Sequence, residues 1–232
     1  MSTILEFKNV SKYYDVSRNI KEIFSGAKPK VRAVDQVSFK IKNGESVGIV
    51  GESGCGKTTL AKLILNLLSP TSGEIIFENK NIDTLKKIED IQEFKKKLQF
   101  VFQNPYDALN PRFTIRDILL EPLKSLKFNP SDYNELINGV MDLVKLNDSN
   151  DYLNRYPHEL SGGQLQRIVL ARALIINPIF VVADEPVSML DVSVRAGILN
   201  AFNDAKKTMN FTAIYISHDL ALVKYVCERT IV

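Results

Sequence analysis

The sequence predicts an α/β protein: a parallel sheet with helices on both faces, an antiparallel β part at the N-terminus, and a helical insertion. Three observations predict it. A glycine-rich loop, Gly51-Glu-Ser-Gly-Cys-Gly-Lys-Thr58, follows a short β-branched run and opens a helical one. From residue 163 onward, apolar strand-like runs alternate with helical patterns, the spacing of parallel sheets covered on both sides. From residue 104 to about 157 strand signals stop, prolines recur at 105, 111, 122 and 130, and only helical periodicity remains.

Taken in order, residues 4–10 read as a short strand, followed by an irregular Lys/Pro/Gly-containing segment from about 15 to 30. Residues 31–42 alternate apolar and polar through Val34, Val37, Phe39 and Ile41, the period of a half-buried antiparallel strand. Asn43-Gly44 predicts a hairpin turn. Residues 46–50 suit a fully buried strand. A helix is expected over 57–68, stopped by Ser69-Pro70. Further strands are expected at 74–77, 99–102, 179–183 and 212–217, and one begins at Arg229. Helices are expected at 115–126, 132–146, 163–176, 192–207 and 220–227.

Bulk properties exclude little. At 232 residues, 45% hydrophobic and 25% charged, the chain can bury a real core. A net charge of +3 says little; a nucleic-acid binder more often shows a clustered basic face, so no nucleic-acid partner is expected, and the run Lys95-Lys-Lys97 reads as a solvated helix face. Two cysteines, Cys55 and Cys227, cannot build a disulfide framework, which favours a reducing compartment. The first residues lack a basic-then-apolar signal pattern, and no apolar stretch approaches the roughly 18 residues of a membrane span. Any membrane role is expected to come through a partner chain.

The glycine loop matches G-x-x-x-x-G-K-[ST] in the required strand–loop–helix context. Glycines let the backbone turn its N–H groups toward phosphate oxygens, and the following helix adds the positive end of its dipole. The expected triphosphate contacts are Gly51, Glu52, Ser53, Gly54, Cys55, Gly56, Lys57, Thr58 and Thr59. Cys55 serves through its backbone N–H. Lys57 supplies a mobile charge for the outer phosphates, and the Thr58 hydroxyl is placed for Mg²⁺.

Asp184 and Glu185 close the apolar run at 179–183, and ligands of open α/β sheets bind beyond the carboxyl ends of strands. Asp184 is thus expected in the magnesium shell. Glu185, projecting elsewhere, is expected to polarise an attacking water, since a glutamate is ordinarily ionised at neutral pH. His218 follows the strand at 212–217 and emerges at the same edge, whereas His158 reads as structural. Ser161-Gly-Gly-Gln164 is a capping-box pattern before an apolar-rich stretch. Its two adjacent glycines weaken a helix start unless something approaches closely, and serine, bare amides and a helix dipole make a second anion site. Two such sites in one chain either bind two phosphates or share each nucleotide between two copies.

This ordered set resembles the nucleotide-binding subunit of an ATP-binding-cassette (ABC) transporter, over nearly the whole chain. The resemblance implies a P-loop NTPase (RecA-like) fold in a single nucleotide-binding domain, with an ATP-binding core at 1–103 and 166–232 and a helical subdomain at 104–165 carrying the signature loop. It implies that each ATP is sandwiched in a head-to-tail dimer, Ser161, Gly162, Gly163 and Gln164 reaching the γ-phosphate on the partner's loop. On the same basis His218 is similar to the switch histidine that contacts the γ-phosphate. Gln103 resembles the Q-loop glutamine, a magnesium ligand and hinge, and Asp191 the D-loop residue that couples the two sites. Tyr14 resembles the aromatic that stacks on adenine, with Tyr13 a close rival.

Three strings narrow the branch: Val50-Gly-Glu-Ser-Gly-Cys55, Gln103-Asn-Pro-Tyr-Asp-Ala-Leu-Asn-Pro-Arg112 and Asp184-Glu-Pro-Val-Ser-Met-Leu-Asp-Val-Ser193. All resemble dipeptide/oligopeptide importer ATPases, a group that includes nickel and some oligosaccharide importers. The implied partners are a second ATPase subunit, like or unlike, two integral-membrane permease subunits and, indirectly, an extracytoplasmic solute-binding protein. The implied place is the cytoplasmic face of the membrane. Such proteins usually extend past the strand begun at Arg229, so the chain reads as truncated or as a shortened subunit. The rival class, a soluble ABC ATPase uncoupled from transport, generally has paired cassettes or long coiled-coil insertions, and this chain has neither.

Overall fold

Two sheets organise the chain, one antiparallel and one parallel, in a computed structural model that describes residues 2–15, 30–146 and 149–232. Most of the irregular segment expected between 15 and 30 lies outside the described residues. The chain starts with β1 (Thr3–Asp15), β2 (Lys30–Lys42), β3 (Ser46–Val50), α1 (Lys57–Ile64), β4 (Ser72–Phe77) and β5 (Lys80–Asn81). Next come α2 (Ile88–Lys97), β6 (Leu98–Val101), α3 (Pro105–Ala108), α4 (Ile115–Ser125), α5 (Tyr133–Leu143), α6 (Ser149–Leu153) and α7 (Gly162–Leu174). It closes with β7 (Phe180–Asp184), α8 (Val192–Met209), β8 (Thr212–Ser217), α9 (Leu220–Val226) and β9 (Arg229–Ile231). Two compact units result: Met1–Asn43 with Gly51–Leu85, and Gly44–Val50 with Lys86–Val232.

The first unit holds the antiparallel sheet, in the order β2-β1-β4-β5. Phe7 of β1 faces Phe39 on one side and Ile75 on the other, and Leu5, Phe7, Val10, Ile41 and Ile75 are buried together along the alternating face. Helix α1 ends at Ile64, short of the expected residue 68. Asn66 adopts φ +53, its N–H donates to the Leu63 carbonyl at 3.1 Å, and the Leu67 N–H donates to the Lys62 carbonyl at 2.9 Å. Those two bonds form a Schellman motif that satisfies the last carbonyls before Ser69-Pro70 is reached.

The second unit is built on an all-parallel sheet of order β6-β7-β8-β3-β9. Every residue of β3, β7 and β8 is buried, as a strand with helices on both faces requires. The Asn43-Gly44 turn exists, with Gly44 at φ +77, but it closes no hairpin: β2 and β3 lie in different sheets. A strand apolar on both faces belongs between parallel neighbours, and β3 pairs with β8 and β9. Around the sheet, Phe202 meets Phe211 and Tyr215 edge-on at 5.6 and 5.9 Å, a favoured aromatic geometry. Lys95, Lys96 and Lys97 fall in the last turn of α2, where a helix dipole favours cations. Lys95 and Lys96 are exposed, Lys96 lying over the Phe128 ring at 4.6 Å, while Lys97 is half-buried and pairs with Glu93 at 2.7 Å. Among the described residues no helix is long and apolar enough to cross a membrane.

Register sets the functional edge. Val101 lies beside Ala183, Asp184 beside Ile216, and Val50 beside Ser217. Strands β6, β7, β8 and β3 therefore end within a residue or two of one another, and the segments leaving the first three carry Gln103, Glu185 and His218.

Candidate nucleotide site

In the first unit the loop at 51–58 is shaped by contacts that only glycine permits. Gly56 sits at φ +103, and a Cβ there would lie 2.0 Å from the Ala33 carbonyl oxygen. Gly56 is also the N-cap of α1 and supplies no side-chain cap, so the first-turn amides have no acceptor from that residue. A helix start of this kind favours an anion. Lys57 folds back over the loop, its Nζ donating to the carbonyls of Gly51 at 2.8 Å and Glu52 at 2.7 Å. The ammonium is thereby held over the loop with exposed surface around it. Glu52, Ser53, Gly54 and Cys55 form the exposed crown of the loop, and Thr58 and Thr59 begin the helix.

The two tyrosines of β1 differ. The Tyr13 hydroxyl donates to Asp35, and Arg32 lies over the Tyr13 ring at 5.8 Å. The Tyr13 hydrogen bond, ahead of the Arg32 charge, holds the Asp35 carboxyl below its ordinary range. Tyr14 keeps 38% of its surface exposed, with Lys12 5.7 Å from its ring centre. Among the described residues, Tyr13 is tied to its own sheet through Asp35, and Tyr14 is the more exposed of the two rings.

In the second unit, Glu185 gathers the neighbouring polar groups. Its backbone is left-handed, φ +46, which turns the side chain out of the direction β7 would give it. The turn is fixed by the Glu185 N–H donating to the Ile216 carbonyl at 2.8 Å. One carboxylate oxygen lies 2.8 Å from His218 Nδ1; the other accepts from Gln103 Nε2 at 3.1 Å. The sequence reading missed Ser188. Its hydroxyl donates to the Glu185 carbonyl at 3.0 Å and lies 3.3 Å from Gln103 Nε2, so it joins the two. Asp184, one residue earlier, remains on the strand and is buried. Asp219, next to His218, caps α9 by accepting from the N–H groups of Ala221 and Leu222.

The second loop forms the capping box its sequence predicts. Ser161 Oγ accepts from the Gln164 N–H at 3.3 Å, and Gln164 Oε1 accepts from the Ser161 N–H at 3.0 Å. Gln164 also reaches the Tyr152 hydroxyl at 3.3 Å. The close approach demanded by the glycines is partly internal: a Cβ on Gly163 would lie 2.5 Å from Val194 Cγ1, and one on Gly162 3.3 Å from Leu190. Asp191 is the N-cap residue of α8 and makes no side-chain cap. His158 stacks on Tyr156 at 5.7 Å.

Among the described residues no three His, Cys, Asp or Glu side chains converge as a metal cage. Magnesium does not ask for one: it is usually held by one or two carboxylates together with substrate phosphates. In the second unit the Asp184 carboxylate and the Gln103 amide are oxygen donors of the right hardness for that role, and in the first the Thr58 hydroxyl is another.

The profile of the ABC transporter family matches residues 34–188. The oligopeptide transport ATP-binding protein AppF of Bacillus subtilis is 42% identical over 228 residues, 98% of this chain and 68% of that protein. OppF of Streptococcus mutans is 43% identical over 228 residues, 97% of this chain and 70% of that protein. The dimeric, ADP- and Pi-bound structure of the ATP-binding cassette MJ0796 superposes with a TM-score of 0.81 at 28% identity, covering 96% of this chain and 91% of that one. A phosphate loop, a strand-end carboxylate and a capped diglycine loop in this order, with relatives of this closeness, have one reading: the chain belongs to the ABC transporter family and is one of its ATP-binding cassette ATPases.

Proposed function

We propose that this chain is the ATP-hydrolysing subunit of an importer of dipeptides or oligopeptides, working as a head-to-tail dimer, of like or unlike chains, beneath two membrane subunits. The observation that carries the catalytic reading is Glu185, whose carboxylate is oriented through both oxygens by His218 and Gln103. A carboxylate fixed in this way is suited to accept a proton from an attacking water. The glycine loop and Lys57 grip the triphosphate, Tyr14 stacks on the base, and Thr58, Asp184 and Gln103 would hold the magnesium ion. When bound, that ion neutralises charge on the β- and γ-phosphates. His218 orients Glu185 and contacts the γ-phosphate. Ser161, Gly162, Gly163 and Gln164 serve the nucleotide of the opposite copy, and Asp191 couples the two sites.

ATP binding closes the dimer, hydrolysis reopens it, and the helical segment 104–165 hands that motion to the membrane subunits. The peptide reading rests on the relatives named as oligopeptide transport proteins and on their identity above 40%. The subunit then works at the cytoplasmic face of the membrane and meets solute only through its partners and an extracytoplasmic binding protein. Reconstitution in proteoliposomes with the two membrane subunits tests this reading. ATP turnover should rise when the binding protein is loaded with a peptide. A rise with nickel or an oligosaccharide and none with peptides would move the chain to another branch, and failure to co-purify with any membrane subunit would remove the transport role.

A further inference from the structure

In the second unit, two buried side chains each carry one polar atom without a partner among the described residues. Gln166 on α7 and Tyr215 on β8 are each 1% exposed. Among the described residues, Gln166 Oε1 and the Tyr215 hydroxyl lack hydrogen-bond partners. Leaving such groups unpaired is costly, and native cores seldom do so. Both residues line the same small cavity, with Val101, Pro186, Ile198 and Phe202 among its walls. Its volume is about 10 Å³. One enclosed water needs roughly 10–15 Å³ and two or more polar partners.

We propose that this cavity is a binding site for a single internal water, which joins Gln166 to Tyr215. The water donates to Gln166 Oε1 and exchanges a second hydrogen bond with the Tyr215 hydroxyl. Both orphaned groups are then satisfied. The site has a definite place in the fold. Gln166 Nε2 donates to the Phe102 carbonyl at 3.4 Å, one residue before Gln103, and Pro186 follows Glu185 directly. Tyr215 lies three residues before His218. The water therefore links Gln166, which holds the segment before Gln103, to Tyr215, which precedes His218, with Pro186 of the Glu185 segment in the wall. Burial pushes the Tyr215 phenol far above its ordinary range, so the hydroxyl stays protonated and available as a donor or acceptor at any working pH.

The sign of a stability change separates a wet cavity from a dry one. In a dry cavity the tyrosine hydroxyl is an unsatisfied group, and Tyr215→Phe should stabilise the protein or leave it unchanged. With the water present, the same substitution removes a hydrogen bond, and the unfolding equilibrium constant should rise by about five-fold. Gln166→Met tests the other partner. The effects of the two substitutions should then be less than additive in the double variant, because each already disrupts the same water. A crystal structure of the wild-type chain at high resolution should show one density peak within hydrogen-bonding distance of both atoms. A stabilised Tyr215→Phe variant, additive effects, or a cavity without density would each overturn the assignment. None of these readouts depends on ATP turnover, so they stand or fall apart from the transport reading.

Discussion

His218 Nδ1 lies 2.8 Å from Glu185 Oε1, and the two residues come from the ends of neighbouring parallel strands. Glu185 stands at φ +46, a left-handed conformation that costs a non-glycine residue on the order of 1–3 kcal/mol and persists only where its surroundings enforce it. Here the surroundings are the Ile216 carbonyl, His218, Gln103 and Ser188. The strained backbone and the hydrogen bonds aim one carboxylate.

Glu185→Gln should bind ATP with near-normal affinity and lose turnover by about 10²–10⁴-fold. The amide keeps the shape of the side chain and can still meet both neighbours, the imidazole changing tautomer to accept from the new NH₂. It cannot take up a proton from water. Equilibrium ATP binding and single-turnover hydrolysis, measured side by side, check this; normal hydrolysis by the variant would remove Glu185 from the chemistry.

His218→Ala should reduce turnover by about 10²-fold or more while leaving fold stability within about 0.5 kcal/mol. The imidazole is 61% exposed, so little packing is lost, but one of the two anchors on Glu185 goes. Denaturant midpoints and turnover rates, taken together, separate an orienting role from a structural one.

Lys57→Ala should weaken ATP binding by at least about ten-fold, since a charge-assisted contact to phosphate is typically worth 1.5 kcal/mol or more. The ammonium also donates to the Gly51 and Glu52 carbonyls, so the loop loses an internal tie as well. Undiminished affinity in a nucleotide titration would refute the phosphate-loop role.

Gly163→Ala should destabilise the chain by about 1–3 kcal/mol, because the added methyl would lie 2.5 Å from Val194 Cγ1. Valine on a helix has little rotamer freedom to move aside. Adding Val194→Ala should recover most of the loss. Full stability of the single variant, or no rescue in the double, would remove the contact with Val194 as the reason for the glycine.

Much of the core was legible because its strands leave no ambiguity. Residues 46–50 and 212–217 are apolar runs bounded by turn signals, and both are buried throughout. The acids after Ala183 and the histidine after Ser217 follow from strand ends alone. Other features are invisible at that level. Asn43-Gly44 has the residues of a hairpin turn, yet which sheet the next strand joins depends on burial of both its faces. Asn66 ended α1 through a left-handed cap that no neighbouring Gly or Pro announced. The positive φ of Glu185 and the bridging role of Ser188 arise from three segments meeting, so no local pattern encodes them. The capping box of Ser161 and Gln164 was readable, but the internal contact of Gly163 with Val194 needed the packing of α7 on α8.

The two cysteines should differ sharply toward thiol reagents. Cys55 lies exposed in the glycine loop, with Lys57 Nζ 3.9 Å from its sulfur. Cys227 follows α9 and is partly enclosed, and burial pushes its thiol up to about 12. A raised thiol value means a smaller thiolate fraction, and only the thiolate is nucleophilic. At pH 8 the Cys227 thiolate is then a fraction of about 10⁻⁴, so alkylation of the folded chain should proceed with one fast equivalent and one very slow one. Cys55→Ser should abolish the fast phase, and unfolding in denaturant should make both sites react. Saturating ATP should slow the fast phase, since the nucleotide occupies the loop that carries the reactive sulfur. Two fast equivalents in the native state would place Cys227 in open solvent, and a fast phase indifferent to ATP would separate Cys55 from the nucleotide.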